Sequence, residues 1–301
     1  MFGGDVNMES DMKILNIYCD GGFGNRFNAL VVGLLIAEVG NFKPVIFWPS
    51  TNWCRSLFKN IFKNDYDNID QNLSYFKNNY DEHSFVMHTN SENLPCEVIH
   101  PDSFNSIQNI VDYYNQSNKR KFVYNNSTIP NYCFNPVLYR FCNDLKKIVK
   151  TLKFTDKIVD KVNQFTKNID EEFVGIHLRN TDFHDNEKTK FDQIESLVKR
   201  NSGINYFICS DDKELEERFI KNDNAFAYPK VKYVEKLTDD GGWRDTVVDD
   251  DGNEYSFNIE RSDESVIDAM VDLLILSKST ILNTSESTFL RTALLIQESN
   301  A

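Results

Sequence analysis

The chain has 301 residues, 41% of them hydrophobic and 13% aromatic, enough at ordinary domain sizes for two domains with cores of their own. Acidic residues outnumber basic ones 46 to 33 and set a net charge of −13, which excludes broad electrostatic binding to nucleic acid or to an anionic membrane. A phosphorylated small molecule would need a local positive site.

In chain order, ILNIYC (14–19) has the short, β-branched and aromatic character of a buried strand. RFNALVVGLLIAEVG (26–40) repeats apolar residues at helical spacing and stops at Gly40, and PVIFW (44–48) is a second strand. A strand-helix-strand opening of this kind predicts a parallel βαβ unit. Residues 50–140 mix aromatic residues with Asn, Asp and Lys without a sustained period, so short helices and loops are expected there.

Thr155 stands where it can cap a helix from Asp156 to about Thr166, with Ile158, Val159, Val162 and Phe165 on one face; this helix is the expected connection between two halves. Further on come strands FVGIHL (173–178) and NYFICS (205–210), a charged helix over about 212–221, AFAYP (225–229), and a Gly- and Asp-rich loop or small hairpin over 238–253. Ser262 or Asp263 opens the helix ESVIDAMVDLLILSKS, which is followed by the strand TILNT (280–284) and a last helix over about 288–297. Strands alternating with helices in both halves predict an α/β protein with two doubly wound, Rossmann-like domains, 1–165 and 166–301.

The six cysteines (Cys19, Cys54, Cys96, Cys133, Cys142, Cys209) form no CxxC pair and no zinc spacing, and read as reduced, mostly buried thiols. The opening MFGGDVNMESDMK lacks the basic and apolar regions of a secretory leader, and the longest apolar stretch, within 30–39, is too short for a bilayer. These features predict a cytoplasmic protein without membrane insertion.

Ligands of doubly wound sheets bind beyond the carboxyl ends of the strands. Three polar clusters fall at such ends. GGFGNR follows the first strand; it lacks the third glycine and the ribose-binding acid of a dinucleotide fingerprint, and it lacks the Lys-Ser or Lys-Thr of a nucleoside-triphosphate loop. What remains is either a tight turn or backbone donors at a helix N-terminus that can approach an anion.

HLRNTD follows FVGI, with His177 and Arg179 on one side of a strand. The guanidinium of Arg179 suits a diphosphate and the charge that builds on it as it leaves, or it forms a salt bridge to Asp182. TSESTF places Thr284, Ser285, Ser287 and Thr288 at a helix start, where hydroxyls either cap the helix or bind phosphate. Asp268 and Asp272 lie four residues apart within the apolar DAMVDLLIL; an acid in that setting caps a neighbouring turn or holds a donor-rich ring such as guanine.

Taken in order, GGFGN, HLRNTD and DLLILSKSTILNTSESTF resemble the shared features of the fucosyltransferases that include the α-1,6 enzymes, the bacterial nodulation fucosyltransferase and the protein O-fucosyltransferases. The resemblance spans about residues 20–293 and is dense only in those three places. It implies a GT-B fold, two Rossmann-like domains facing across a cleft, with the first domain on the acceptor side and the second binding the GDP-sugar.

It further implies that His177 and Asp272 hold guanine, that Arg179 binds the β-phosphate of GDP-fucose, and that Ser287, Thr288 and Phe289 line the phosphates and ribose. Gly24 and Asn25 would meet the donor or acceptor from the other domain. No metal and no cofactor are implied, and the acidic run at 249–251 falls in the expected loop rather than after a strand. Where the α-1,6 enzymes carry a second arginine this chain has Asn180. Glu187 has the spacing of their proposed base, with His184 and Asp185 as competitors.

The activity implied is inverting transfer of L-fucose from GDP-β-L-fucose to a hydroxyl of a glycan acceptor. The alternatives are a glycosyltransferase using another GDP-sugar and a non-catalytic nucleotide- or glycan-binding protein of the same fold. Trp48, Trp53, Tyr75, Phe76, Tyr113 and Tyr114 stack on acceptor sugars or pack the core. Nothing in the sequence specifies an oligomeric state.

Overall fold

The computed structural model describes residues 12–88, 94–135, 140–167, 169, 172–181, 187–249, 251–282 and 287–301. The chain divides into two compact units, the first comprising Met1–Pro49 and Asn64–Thr151 and the second Ser50–Lys63 and Leu152–Ala301.

In the first unit, β1 (Ile14–Tyr18) leads into α1 (Phe23–Gly40), β2 (Lys43–Phe47) and, after α2 (Phe58–Ile61) of the other unit, β3 (Asp67–Ile69). Then follow β4 (His83–Met87), β5 (Val98–Ile99), α3 (Ile107–Gln116), β6 (Lys121–Asn125), the short antiparallel pair β7 (Phe134–Asn135) and β8 (Arg140–Phe141), and α4 (Asn143–Thr151). The six-stranded sheet is parallel throughout, in the order β3-β2-β1-β6-β4-β5. β1 is thus the strand from which the order turns in both directions.

Helix α1 starts three residues earlier than the apolar pattern suggests, and its residues from Phe27 to Ala37 are all buried, so it is a core helix rather than an amphipathic one. It ends at Gly40 because Asn41 adopts a left-handed conformation (φ 50°) and donates its N–H back to the last turn. Tyr18, Phe47, Leu73, Phe76, Phe85, Met87 and Val123 make one core cluster of this unit.

The second unit adds α5 (Asp156–Thr166), β9 (Phe173–Leu178), α6 (Glu187–Arg200), β10 (Asn205–Ser210), α7 (Lys213–Phe219), β11 (Ala225–Phe226), the hairpin β12 (Val247–Val248) and β13 (Glu254–Tyr255), α8 (Asp263–Leu276), β14 (Thr280–Leu282) and α9 (Thr288–Asn300). Its sheet is also all parallel, in the order β11-β10-β9-β14. Here β9 is the strand where the order turns. Gly175 on β9 is required by close packing: a Cβ there would lie 2.1 Å from Ser279 Oγ and 2.6 Å from Leu276 Cδ1. Ile176, Leu178, Phe191, Ile194, Val198, Tyr206 and Ile208 form a core cluster beside it.

Several elements differ from the sequence expectations. The loosely assigned stretch 50–140 contains four of the six strands of the first sheet, β3 to β6; KFVYN and HSFVM are buried on both faces, so they show no alternation of polar and apolar residues. Helix α6 has no counterpart among the expected elements, although Phe191, Ile194, Leu197 and Val198 carry helical spacing. Helix α5 has the expected bounds, but it packs against α8 within the second unit instead of joining two halves. Residues 50–63 also belong to the second unit, through Arg55–Glu260 and Asn60–Asp263 hydrogen bonds. The division therefore runs through 49/50, 63/64 and 151/152, rather than through 165/166 alone.

Among the described residues no helix is long and apolar enough to cross a membrane.

Candidate active site

In each sheet the strand at which the order turns ends in one of the polar clusters singled out from the sequence. That is where a doubly wound sheet opens a crevice for a ligand.

At the end of β1, Gly21 has φ +77°, which favours glycine, and its N–H donates to Asp20 Oδ1 at 2.6 Å. Gly22 is the N-cap of α1 and no side chain caps this helix. Gly24 is buried and Asn25 half-buried in the first helical turn. The turn is held by Arg26, which is completely buried: its Nε donates to Gly21 O at 2.7 Å and its Nη1 to Pro49 O at 2.7 Å, with the guanidinium over the Trp48 ring. Trp48 is itself buried, so it packs the core. Nothing local in GGFGNR marks Arg26 as buried, because a charged residue inside a helical run is solvated by default.

At the end of β9, three of the expected residues come together. His177 is buried; its Nδ1 lies 3.3 Å from Ser287 Oγ, and its ring stacks on Phe289 with centroids 4.9 Å apart and planes 27° off parallel. Ser287 is also the N-cap of α9, its Oγ accepting from Leu290 N at 3.1 Å, so capping and contact with His177 coexist in one hydroxyl. Thr288 is the first residue of α9 and half-buried. Burial, followed by the positive charges of Arg179, Lys230 and Lys190, pushes the His177 pKa down to about 3, so this imidazole is neutral at ordinary pH.

Arg179 follows β9 directly and is half-buried. Asp182, its alternative partner, lies outside the described residues, as do Thr284, Ser285, His184 and Asp185; Glu187 opens α6. The loop that carries Arg179 is anchored by Asp211, which accepts from Asn180 N at 2.9 Å and from Thr181 Oγ1 at 2.6 Å. Asn180, in place of the second arginine of the resemblance, donates to Asp212 Oδ2 at 2.6 Å, and Asp212 also caps α7.

The two aspartates of α8 have different tasks. Asp268 Oδ2 accepts from the N–H groups of Val231 and Lys232 and its Oδ1 pairs with Lys161 at 2.8 Å, so it caps a turn. Asp272 is buried and pairs through Oδ2 with Lys230 Nζ at 2.9 Å; its Oδ1 has no hydrogen-bond partner.

Lys230 is buried and also bonds both oxygens of Glu216 at 2.5 and 2.6 Å, while Tyr233 donates to Glu216 Oε2. Burial alone would push Lys230 down, but the carboxylates of Asp272 and Glu216 more than reverse this and raise it. Burial raises Asp272 and Glu216, against the opposing pull of Lys230. Neither Lys230 nor Glu216 lies in a motif, so no local signal in the sequence marks them. Among the described residues no group of three or more His, Cys, Asp or Glu is arranged to hold a metal ion.

Two doubly wound units, each built on an all-parallel main sheet with a polar cluster at the end of its turning strand, define an α/β protein of the GT-B type, and its fold is that of fucosyltransferases. The chain aligns over 95% of its length, and 92% of the other's, with NodZ α-1,6-fucosyltransferase co-crystallized with GDP (14% identity, TM-score 0.58). Fucosyltransferase NodZ from Bradyrhizobium matches at 13% identity and TM-score 0.56, with 95% of this chain and 93% of that one covered. A mutant of Arabidopsis thaliana FUT1 in complex with GDP matches at 11% identity and TM-score 0.54, covering 97% of this chain and 70% of that one. No protein-family model and no curated protein matches the sequence.

Proposed function

We propose that the protein is an inverting glycosyltransferase that moves L-fucose from GDP-β-L-fucose to a hydroxyl of a glycan acceptor. The observation that carries this reading is the convergence of His177, Ser287 and Phe289 where β9 meets the N-terminus of α9, in a chain with the fucosyltransferase fold. The N–H groups of the first turn of α9 and the guanidinium of Arg179 supply the positive field that a diphosphate needs. His177, kept neutral by burial, offers guanine a hydrogen-bonding ring without adding charge, and the second oxygen of Asp272 is available to accept from its N–H edge.

In the reaction the acceptor oxygen attacks the anomeric carbon as the bond to the β-phosphate breaks. Arg179 and the α9 N-terminus stabilise the departing GDP. A carboxylate takes the acceptor proton, and Glu187 at the start of α6 is the assigned base. Gly24 and Asn25 in the first turn of α1 serve the donor sugar or the acceptor.

The test is a transfer assay with radiolabelled GDP-fucose on a glycan array, paired with thermal shifts in GDP, UDP, GDP-fucose and GDP-mannose. GDP and GDP-fucose should stabilise the protein and UDP should not. Arg179→Ala should lower turnover by about 10²- to 10³-fold with the fold intact, as for loss of one transition-state donor. Stabilisation by UDP equal to that by GDP, or near-normal turnover in Arg179→Ala, would overturn the assignment.

A further inference from the structure

Outside this site, two of the six cysteines stand apart from the rest. β7 and β8 pair antiparallel with Phe134 opposite Phe141 and Asn135 opposite Arg140. One residue beyond these pairs Cys142 N–H donates to Cys133 O at 2.9 Å, while Cys133, the last residue of a 3-10 turn (Asn131–Cys133), donates its own N–H to Pro130 O at 2.9 Å. Residues opposite each other across an antiparallel pair have Cα atoms about 4.5–5.5 Å apart, within the roughly 4.4–6.8 Å over which a disulfide closes without backbone movement, and Cys133 and Cys142 adjoin the last such pair and share one backbone hydrogen bond. Both are free thiols.

Their surroundings divide the labour. Cys142 is half-buried and stands immediately before the nine-residue helix α4. Cys133 is buried, 1% exposed. We propose that Cys142 and Cys133 form a redox-reactive dithiol, with Cys142 the attacking thiolate and Cys133 the resolving thiol, which closes to a disulfide on meeting a low-molecular-weight disulfide.

The Cys142 thiolate attacks one sulfur of glutathione disulfide, a bond forms to that half and the other leaves as a thiolate. Cys133 then loses its proton and attacks Cys142 Sγ, releasing the second glutathione thiolate. Two protein thiols are oxidised and one glutathione disulfide is reduced to two thiols, so the electrons balance. The electrostatics agree with this order. Hydrogen bonding from Cys133 lowers the Cys142 pKa to about 6 despite burial and the nearby Asp144 carboxylate, whereas Cys19, Cys96, Cys133 and Cys209 are all raised.

The test uses the full chain in native buffer with excess glutathione disulfide, followed by alkylation and peptide mapping without reduction. Tryptic cleavage after Arg140 separates the two cysteines, so the bond appears as a joined pair of peptides. The expected result is loss of two of the six free thiols and a Cys133–Cys142 linkage.

Cys142→Ser should abolish the linkage, and Cys133→Ser should stop at a glutathione adduct on Cys142. Should Cys133→Ser fail to fold, the wild type decides: Cys142 should react with iodoacetamide about tenfold faster than Cys96, the other partly exposed thiol. Six thiols retained after oxidation, a linkage between other cysteines, or equal alkylation of Cys142 and Cys96 would each overturn the proposal.

Discussion

The loops that follow β1 and β9 occupy the same topological place in two sheets of the same kind, yet they are held by opposite charges. After β1 a buried cation, Arg26, takes the carbonyl oxygens of Gly21 and Pro49. After β9 an anion, Asp211, takes the N–H of Asn180 and the hydroxyl of Thr181. The first arrangement consumes backbone acceptors and leaves the uncapped N-terminus of α1 as the electropositive feature. The second consumes donors and makes a side chain, Arg179, the electropositive feature of its loop. A glycine-rich turn and an arginine loop are thus two ways of presenting positive charge at the end of a parallel strand, and the second one carries a full charge.

The contrast can be broken most forcefully at Lys230. Lys230→Met leaves the buried carboxylates of Asp272 and Glu216 without their cation and should cost about 3–5 kcal/mol in urea unfolding, with Asp272→Asn and Glu216→Gln added to the same chain restoring most of the loss. Next comes Arg26→Met, which removes two charge-assisted hydrogen bonds and should destabilise by about 3 kcal/mol. Arg26→Lys should rescue only part of that, because one ammonium does not reproduce the fork that reaches both carbonyls.

A pH series sharpens the comparison on the β9 side. Above pH 6.5 the His177 ring is neutral in both the folded and unfolded chain and adds no pH dependence. Below it the unfolded chain binds a proton that the folded one refuses down to about pH 3, so stability falls as pH falls through this window. His177→Gln should abolish this component, worth about 1.6 kcal/mol between pH 6.5 and 5, which urea unfolding at the two pH values reads directly. The smallest effect is expected at Ser287→Ala, about 1 kcal/mol for the lost cap of α9, visible as a lowered Tm in calorimetry, together with weaker protection by GDP because His177 loses a contact.

The parts of the fold that showed in the sequence are those whose burial is written locally. ILNIYC, FVGIHL and NYFICS are short apolar runs between turns, and DAMVDLLIL sits between a capping Ser262 and the next strand; all four became the expected elements. HSFVM and KFVYN are equally buried but lie among Asn, Lys and Asp, and no local period marks a central parallel strand. The three polar clusters were placed at strand ends by the same local logic, and the pairing of His177 with Ser287 and Phe289 brings together two of them.

By itself the sequence determined that the chain alternates strands and helices, which clusters end the strands, and which hydroxyls and charges those clusters hold, because strand and helix periods and caps depend on near neighbours. Only the tertiary structure decided that Asp268 caps a turn while Asp272 pairs with Lys230, that Arg26 is a buried clamp, and that α5 and residues 50–63 belong with the second sheet. Each of those outcomes depends on a partner brought from a distant part of the chain. A desolvated charge is tolerated only where packing delivers that partner, and no local pattern specifies the delivery.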